Sequence, residues 1–305
     1  MSSTIEWELY RTFLGVLREG SLSGAARVLG IAQPTVGRHV AALETALGLA
    51  LFTRSQTGLL PTEAALALQP HAQAIESTAL ALERVATSYG DGVRGVVRVT
   101  ASEVIGVEVL PAALEALRRN YPDLKVELVL SNEVQDLLQR EADVAVRMAR
   151  PNQEQLVARR IGSIELGLHA HADYLARHGL PSNMDELAGH TLIGYDHFSP
   201  FVRAAVKKWP QFGRDRLALR TDSDVAQLAL IRAGAGIGIC QAPLARRTPG
   251  LVRLLPEAFS MPLETWVTMH EDLRDSPRCR VTFDALVEAL SAHVRAGSAD
   301  QAPPA

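Results

Sequence analysis

Lysine and cysteine are both scarce in this sequence of 305 residues. Its three lysines, Lys125, Lys207 and Lys208, leave 28 arginines among 31 basic residues, and with 34 acidic residues the formal net charge is -3. This charge balance excludes a wholly basic nucleic-acid coat and a polybasic membrane binder. The two cysteines, Cys240 and Cys279, form no CxxC motif. They indicate neither a disulfide framework nor a zinc site, and a reducing cytosol fits best.

Long hydrophobic runs are also missing. No stretch approaches the length of a membrane-spanning helix, and the first residues lack a basic region followed by an apolar one. We therefore expect a cytoplasmic protein that does not bind membranes. The 47% hydrophobic content is enough to bury the cores of about two domains.

Residues 5–60 have the pattern of short helices joined by tight turns. The first two helices are predicted over 5–19 and 21–29, and a glycine follows each of them. A third helix is predicted over 32–47, with Pro34 in its first turn, where a missing N–H costs nothing. Its apolar stripe consists of Val36, Val40, Leu43 and Leu47.

The third helix carries polar residues near its N-terminus. Gln33, Thr35 and Arg38 stand off the apolar stripe, which is typical of a helix-turn-helix whose second helix enters the major groove of DNA. Residues 49–60 are predicted to form two short strands, a wing on which Arg54 suits a phosphate or minor-groove contact. A small helical domain with ordinary polar surface residues is the alternative.

Residues 62–90 predict a long linker helix. Its apolar positions alternate at intervals of four and three, a coiled-coil seam made of Leu68, Ala72, Ile75, Ala79, Leu82, Ala86 and Tyr89. We interpret the segment as a helix that pairs with its copy in a second subunit. The alternative is one amphipathic helix packed on its own chain. Pro70 is expected to kink or restart the helix.

From residue 93 onward, strands alternate with helices. Residues 95–148 have a βαβαβ pattern, in which one helix is predicted over 108–120 and another over 133–140. A second alternating set covers 164–256, including a strand over 164–171, and a last helix is predicted over 280–295. Two crossovers then give two α/β lobes: lobe I, about 93–163 and 265–296, and lobe II, about 164–264. Ligands bind such sheets at the carboxyl ends of strands, hence between the lobes.

Polar residues at the predicted strand ends are the candidates for a small-molecule site. They are Ser102, Ser131, Asn132, Arg147, His197, Phe198, Ser199 and Asp222. Helix N-termini beside an arginine favour an anion, and Glu103 with Asp222 would suit an amine as well. We therefore expect an anionic or amino-acid-like ligand. Capping or intramolecular salt bridges are the alternative roles.

Three further features bear on cofactor, metal or catalytic chemistry. The glycine run over 234–238 lacks the strand-then-helix order of a dinucleotide-binding loop. His169 and His171 have no third metal ligand near them in the sequence. Cys240 lacks an activating His/Asp spacing. We predict no cofactor, no metal and no catalytic residue.

Several stretches resemble the LysR-type transcriptional regulators over essentially the whole chain. They are AARVLGIAQPTVGRHVAALETALGLALFTR (25–54), PTEA (61–64), VRVTASEVIGVEVLPAAL (97–114), ADVAVR (142–147) and AGAGIGICQAPLA (233–245). The resemblance implies a winged helix-turn-helix domain (1–61), a dimerising linker helix (62–92) and a two-lobed α/β effector domain similar to periplasmic binding proteins (93–296), usually assembled as tetramers. Residues 297–305 are expected to form a flexible tail.

The resemblance also implies a function. Carried over by position, the predicted contacts with double-stranded DNA are Gln33, Pro34, Thr35, Arg38, the neighbouring His39 and Arg54. Gly37 stands where the family commonly has serine, so a phosphate contact is missing and weaker nonspecific affinity is expected. The expected protein is a homodimer through the linker helix, or a homotetramer, that regulates transcription under a small-molecule effector and is not an enzyme. A binding protein or enzyme with a helical interaction module is the alternative.

Overall fold

A computed structural model describes residues 5–55, 58–86, 92–132, 142–151 and 156–298. This part of the chain divides into two compact units. The N-terminal unit contains residues 5–86, and the C-terminal unit contains the described residues from 92 to 298. Among the described helices, none combines the length and apolar character that crossing a membrane requires.

The N-terminal unit begins with three helices, α1 (Trp7–Glu19), α2 (Leu22–Leu29) and α3 (Gln33–Leu47). Each ends at a glycine in the left-handed conformation, with φ of 64° at Gly20 and 68° at Gly30 and Gly48, which confirms the predicted ends. Ser21 begins α2, because its hydroxyl accepts a hydrogen bond from the N–H of Gly24.

The core of this unit lies where α3 packs against α1 and α2. Val36, Val40 and Leu43 of α3 are buried, as the predicted apolar stripe requires, and Leu47 is partly buried against the same core. Phe13 of α1 is buried beside them. This packing leaves the opposite face of α3 toward solvent.

The predicted wing is a two-stranded antiparallel sheet, β1 (Phe52–Ser55) and β2 (Gly58–Pro61). The turn residues Gln56 and Thr57 lie outside the described residues. The N–H of Leu59 donates to the carbonyl of Gly20 at 2.8 Å, so the wing is fixed to the turn between α1 and α2.

Helix α4 (Glu63–Ala86) runs through Pro70 without ending, so of the two predicted outcomes, a kink or a restart, the restart is wrong. Proline removes one hydrogen bond from the helix interior. Ala65 and Ala72, on either side of it, are buried against the core of the unit and hold both turns in place. Farther along the predicted seam, Ile75 and Leu82 are exposed. Tyr89, its last member, lies outside the described residues.

The C-terminal unit alternates strands and helices. Its strands are β3 (Gly95–Ala101), β4 (Leu124–Leu130), β5 (Val144–Arg147), β6 (Leu156–His171), β7 (Leu192–Gly194), β8 (Leu217–Arg220), β9 (Gly238–Gln241), β10 (Leu251–Leu254) and β11 (Met261–His270). Its helices are α5 (Glu103–Glu108), α6 (Leu110–Asn120), α7 (Ala172–His178), α8 (Pro200–Lys208), α9 (Asp224–Arg232), α10 (Ala242–Arg246) and α11 (Pro277–Ser298). Strand β3 pairs in parallel with β4 and β5, as the βαβαβ pattern predicts. The helix predicted over 133–140 lies outside the described residues.

One sheet continues through both lobes. Its described strands follow the order β10-β6-β11-β5-β3-β4, and β9 also pairs with β6. The antiparallel strands β6 and β11 cross the predicted boundary between the lobes, because β6 begins at Leu156, well before the strand predicted over 164–171. These two strands are the crossovers. In lobe II, β7 and β8 form a separate parallel pair.

The helix predicted over 108–120 corresponds to α6, and a separate short helix that the sequence did not predict, α5, precedes it. Helix α5 ends at Glu108, and α6 begins at Leu110 with Pro111 in its first turn. Proline explains the break, because it has no N–H to continue α5 and its ring clashes with the preceding turn, whereas the first turn of a helix tolerates it. Helix α5 therefore starts directly after Ser102, at the carboxyl edge of the sheet.

Helix α11 extends beyond the range 280–295 predicted for it, at both ends. The guanidinium of Arg246 donates to the carbonyl oxygens of Ala296, at 2.5 Å, and Gly297, at 2.8 Å. These bonds satisfy carbonyl groups that a helix end would otherwise leave unpaired. Residues 299–305 of the expected tail lie outside the described residues.

Candidate functional site

The solvent-facing side of α3 carries most of the predicted DNA contacts. Gln33, Pro34 and Arg38 are exposed, and Thr35 lies half-buried among them. Nη2 of Arg38 donates to the hydroxyl of Thr35 at 3.2 Å, which orients the guanidinium along this face. All four residues lie in the first two turns of α3, the end that enters the major groove in a helix-turn-helix.

His39 is tied to α1. Its Nδ1 lies 2.9 Å from the hydroxyl oxygen of Thr12, and that hydroxyl donates to the carbonyl of Glu8 at 2.8 Å. Because the hydroxyl has a single proton, Nδ1 of His39 must be the donor in the first bond. His39 therefore has a structural partner within the unit.

Two further positions shape this surface. Arg54 is exposed on β1, opposite Leu59 of β2, as expected for a wing residue that reaches a phosphate. At Gly37 of α3, a Cβ would lie 3.8 Å from the side chain of Leu22, an ordinary contact distance. Packing therefore does not require a glycine at position 37, and a larger residue would fit there.

At the carboxyl edge of the sheet in lobe I, the start of α5 and the end of β4 lie side by side. The N–H of Glu103 donates to Oδ1 of Asn132 at 3.2 Å, and the N–H of Ser131 donates to the carbonyl of Ala101 at 2.9 Å. Ser102 directly precedes α5. The structure thus brings the predicted residues Ser102, Ser131 and Asn132 together.

Lobe II reaches this edge through the N-terminus of α9. The hydroxyl of Ser223 donates to Oε2 of Glu103 at 2.8 Å. The carboxyl of Asp224 is hydrogen-bonded to the side chain of Asn132 and to the hydroxyl of Tyr195. Burial raises the pKa of Tyr195, and burial also raises the pKa of Asp224. The phenol therefore stays protonated and is the donor in its bond to Asp224.

Arg147 supplies a positive charge at the end of β5. Its guanidinium donates to the hydroxyl of Thr100 at 3.1 Å and to the carbonyl of Val146 at 3.0 Å. Thr100 lies at the end of the neighbouring strand β3, just before Ser102. The cationic residue predicted for an anionic ligand is therefore at the same sheet edge as the polar residues of α5 and β4.

The predicted residues 197–199 have three different environments. Nδ1 of His197 lies 2.6 Å from Oδ2 of Asp222, and this hydrogen bond raises the pKa of the exposed imidazole. Phe198 is partly buried against the core of lobe II. Ser199 caps α8, because its hydroxyl accepts from the N–H of Val202 at 3.2 Å. His197 and Asp222 thus form a pair, while Phe198 and Ser199 have packing and capping roles.

One group of side chains has the composition of a metal site. Ligand atoms of Asp196, His197 and Asp222 lie within 4.8 Å of one another. Arg214 donates to Oδ1 of Asp196 at 2.8 Å, so a metal ion would compete with a guanidinium for that carboxylate. Two of the three residues are exposed. We assign no metal to this group.

His169 and Cys240 are buried next to each other in lobe II. Nδ1 of His169 lies 2.9 Å from the carbonyl of Gly167 and 3.3 Å from Sγ of Cys240. Burial raises the pKa of the Cys240 thiol to about 12 and lowers the pKa of His169 to about 4. A neutral thiol beside a neutral imidazole is not an activated nucleophile.

Sequence reasoning missed Tyr195, Thr100 and Asp224, and it considered Ser223, with Thr221 and Asp222, only as a polar residue that precedes a helix of lobe II. Tyr195 directly follows β7, and Thr100 lies at the end of β3, so the strand-end argument could have found both. Ser223 and Asp224 begin α9, where a polar residue is ordinarily explained by capping alone.

Two family models match consecutive parts of the chain. The model described as "Bacterial regulatory helix-turn-helix protein, lysR family" matches residues 7–66, which contain α1, α2, α3 and the wing. The model described as "LysR substrate binding domain" matches residues 90–291, more than half of the chain.

Individual relatives agree with these matches. An HTH-type transcriptional regulator of Xanthomonas campestris pv. campestris is 34% identical over 181 residues, 59% of this chain and 53% of that protein. The chain thus matches about half the length of this relative. CrgA, a LysR-type transcriptional regulator from Neisseria meningitidis, is 27% identical with a TM-score of 0.57, over 93% of this chain and 98% of that chain. Full-length CbnR in complex with its target DNA is 23% identical with a TM-score of 0.61, over 95% of this chain and 99% of that chain, and shows the shared fold. This chain belongs to the LysR family of bacterial helix-turn-helix transcriptional regulators, a family of regulators and not of enzymes.

Proposed function

We propose that this protein binds double-stranded DNA through α3 and regulates transcription in response to a small molecule bound between its lobes. The observation that carries the proposal is the polar, solvent-facing side of α3, on which Arg38 is bonded to Thr35 while the opposite side is buried. Gln33 and Arg38 have the hydrogen-bonding groups that match adenine and guanine edges in the major groove. Such a regulator acts in the cytoplasm, where bacterial DNA lies.

The proposed contact with DNA involves only a few phosphate groups. Residues 1–60 carry five arginines against four glutamates, so few phosphates can be neutralised. The exposed Arg54 on the wing is suited to a phosphate contact. We therefore expect binding whose specificity comes from base contacts and whose salt dependence is moderate.

We further propose that the effector is an anionic or amino-acid-like molecule held at the carboxyl edge of the sheet. From lobe I, Ser102, Asn132 and Arg147 supply a hydroxyl, an amide and a guanidinium for an acid group. Glu103 and Asp222 supply carboxylates for an amine. His197 is paired with Asp222 and belongs to the same lobe II surface.

The proposed assembly is a homodimer through α4, and such dimers would associate into a homotetramer. Ile75 and Leu82 are 43% and 60% exposed along the predicted seam, and Ala79 between them allows two helices to approach closely. A movement of the two lobes on effector binding would then change the angle between the bound half-sites. Small-angle scattering with identical dimensions before and after effector binding would contradict this last step.

DNA binding is tested by a gel-shift titration of the purified protein against its own upstream DNA. The titration is made at two salt concentrations, with excess unrelated duplex as competitor. We expect a complex that survives the competitor and weakens as salt rises. Equal competition by unrelated duplex, or no shift at all, would overturn the proposal.

A further inference from the structure

Helix α5 of lobe I is held by lobe II at both of its ends. At the N-terminal end, the carboxylate of Glu103 accepts a hydrogen bond from the hydroxyl of Ser223 at 2.8 Å. At the C-terminal end, Arg232 donates to the two carboxylate oxygens of Glu108 at 2.6 and 2.8 Å. Arg247 also donates to the backbone carbonyl of Glu108. The short helix therefore connects the lobes across the cleft.

The two ends differ in electrostatics. The pKa of Glu108 lies below its ordinary value because Arg232 donates to its carboxylate. This ion pair therefore stabilises the contact between the two lobes. Glu103 has no such cation in the contacts that the described residues show, and it lies close enough to the carboxyl of Asp224 to raise the pKa of that group further, beyond the effect of burial. The Glu108 end is thus held firmly, whereas like charges oppose each other at the Glu103 end.

The Glu103 end already uses the donors that an acid ligand would need. A hydroxyl group has a single proton, and Ser223 gives its proton to Glu103 while its oxygen accepts from the N–H of Ala226. The side chain of Asn132 is bonded to the N–H of Glu103 and to Asp224. A carboxylate that binds at this end of α5 therefore takes the Ser223 hydroxyl away from Glu103.

We propose that Glu103 is a built-in carboxylate that latches the two lobes together in the effector-free protein, and that an acidic effector acts by displacing it from Ser223. This inference rests on the proposed effector site between the lobes. Displacement frees the Glu103 end of α5 and relieves its repulsion with Asp224. The Glu108–Arg232 pair stays in place and serves as the pivot.

Hydrogen exchange on the full-length protein without effector tests the latch, the Glu103–Ser223 contact. We expect Glu103→Ala and Ser223→Ala to speed amide exchange at the start of α5 and α9 by about tenfold, as for the loss of a hydrogen bond to a charged group. Exchange near Glu108 and Arg232 should change less. Glu103→Gln keeps an acceptor oxygen for Ser223, so its exchange should lie between those of the wild type and Glu103→Ala.

Ser199→Ala is the matched control for Ser223→Ala. Both variants lose a serine cap at a helix N-terminus, but only Ser223 bonds to the other lobe. Ser199→Ala should speed exchange in α8 and leave α5 unchanged. Exchange at α5 that stays at the wild-type rate in Ser223→Ala would overturn the latch, whatever happens in α9, and this comparison remains available if Glu103→Ala does not fold.

Acetate at high concentration tests whether a free carboxylate binds in the position of the Glu103 carboxylate, with chloride at equal ionic strength as its control. In Glu103→Ala we expect acetate to slow exchange at α9 again, because it fills the vacated carboxylate position. Exchange that acetate does not slow would overturn the claim that a carboxylate is bound there. DNA plays no part in this readout, so failure of the latch and failure of the proposed DNA binding are separate results.

Discussion

Gly37 is the residue at which α3 departs most from what a DNA-binding helix favours. Glycine inside a helix costs about 0.5–1 kcal/mol relative to alanine. Since a Cβ fits at this position, Gly37→Ala should raise the unfolding free energy by about that amount. Gly37→Ser should also add a phosphate contact and tighten DNA binding about fivefold, as one hydrogen bond of about 1 kcal/mol would do. A gel-shift titration that finds Gly37→Ser binding no tighter than Gly37→Ala would contradict this.

His169 makes the stability of the C-terminal unit depend on pH. Burial lowers its pKa to about 4 from an ordinary 6.5, so between these pH values the unfolded chain binds a proton that the folded protein does not. Stability from this residue is therefore complete above pH 6.5 and is lost as the pH falls toward 4. The loss at pH 5 is about 2 kcal/mol from these pKa values.

Denaturant unfolding at pH 7 and pH 5 checks the contribution of His169. We expect His169→Gln to be less stable than the wild type at pH 7, because it disturbs the buried contacts with Gly167 and Cys240. Its stability should nevertheless fall less between pH 7 and pH 5. An equal fall in both proteins would show that His169 does not cause the pH dependence.

One ion pair fixes the middle of α4 to α1. Both terminal nitrogens of Arg18 donate to the carboxylate of Glu76, one of them at 3.0 Å, and this bond raises the pKa of Arg18. A double-mutant cycle with alanine at both positions should give a coupling free energy of about 1 kcal/mol, near the upper end for pairs at a surface. The exposed Arg11–Glu8 pair within α1 is the control, with about 0.3 kcal/mol expected. Equal couplings for the two pairs would contradict this role.

The second half of α4 carries the proposed dimer seam. Leu82 lies on the seam and is 60% exposed, whereas Leu80 is 44% exposed and points away from it by the helical period of 3.6 residues. Leu82→Asp should shift the protein toward monomers in sedimentation velocity, because it places a charge in the apolar contact. Leu80→Asp removes a similar side chain and should keep the wild-type assembly. The same distribution of species in both variants would contradict the seam.

Across the whole molecule, the structural features that depend on local sequence pattern could be predicted. The glycine ends of α1 and α2, the buried stripe of α3 and the parallel βαβαβ strands follow from spacing and from turn residues. The break between α5 and α6 could also have been read from Pro111. These features need no information from distant parts of the chain.

Contacts between distant residues were beyond such prediction. Ser223 and Glu103 are 120 positions apart, and nothing in the spacing of either residue indicates the other. The extension of β6 across both lobes depends on its pairing with β11, another distant segment. The roles of Phe198 and Ser199 in packing and capping likewise follow from where α8 begins.

DNA recognition by the exposed face of α3 can be tested directly. Fluorescence anisotropy with the protein's own upstream duplex tests it through Arg38→Ala and a control, Arg119→Ala, which removes an equally charged, exposed residue from the other unit. We predict that Arg38→Ala weakens specific binding by about 1–3 kcal/mol, the usual range for a base contact, with thermal stability unchanged. Arg119→Ala should bind as the wild type does. Specific binding that is equal in Arg38→Ala and Arg119→Ala would contradict DNA recognition by α3.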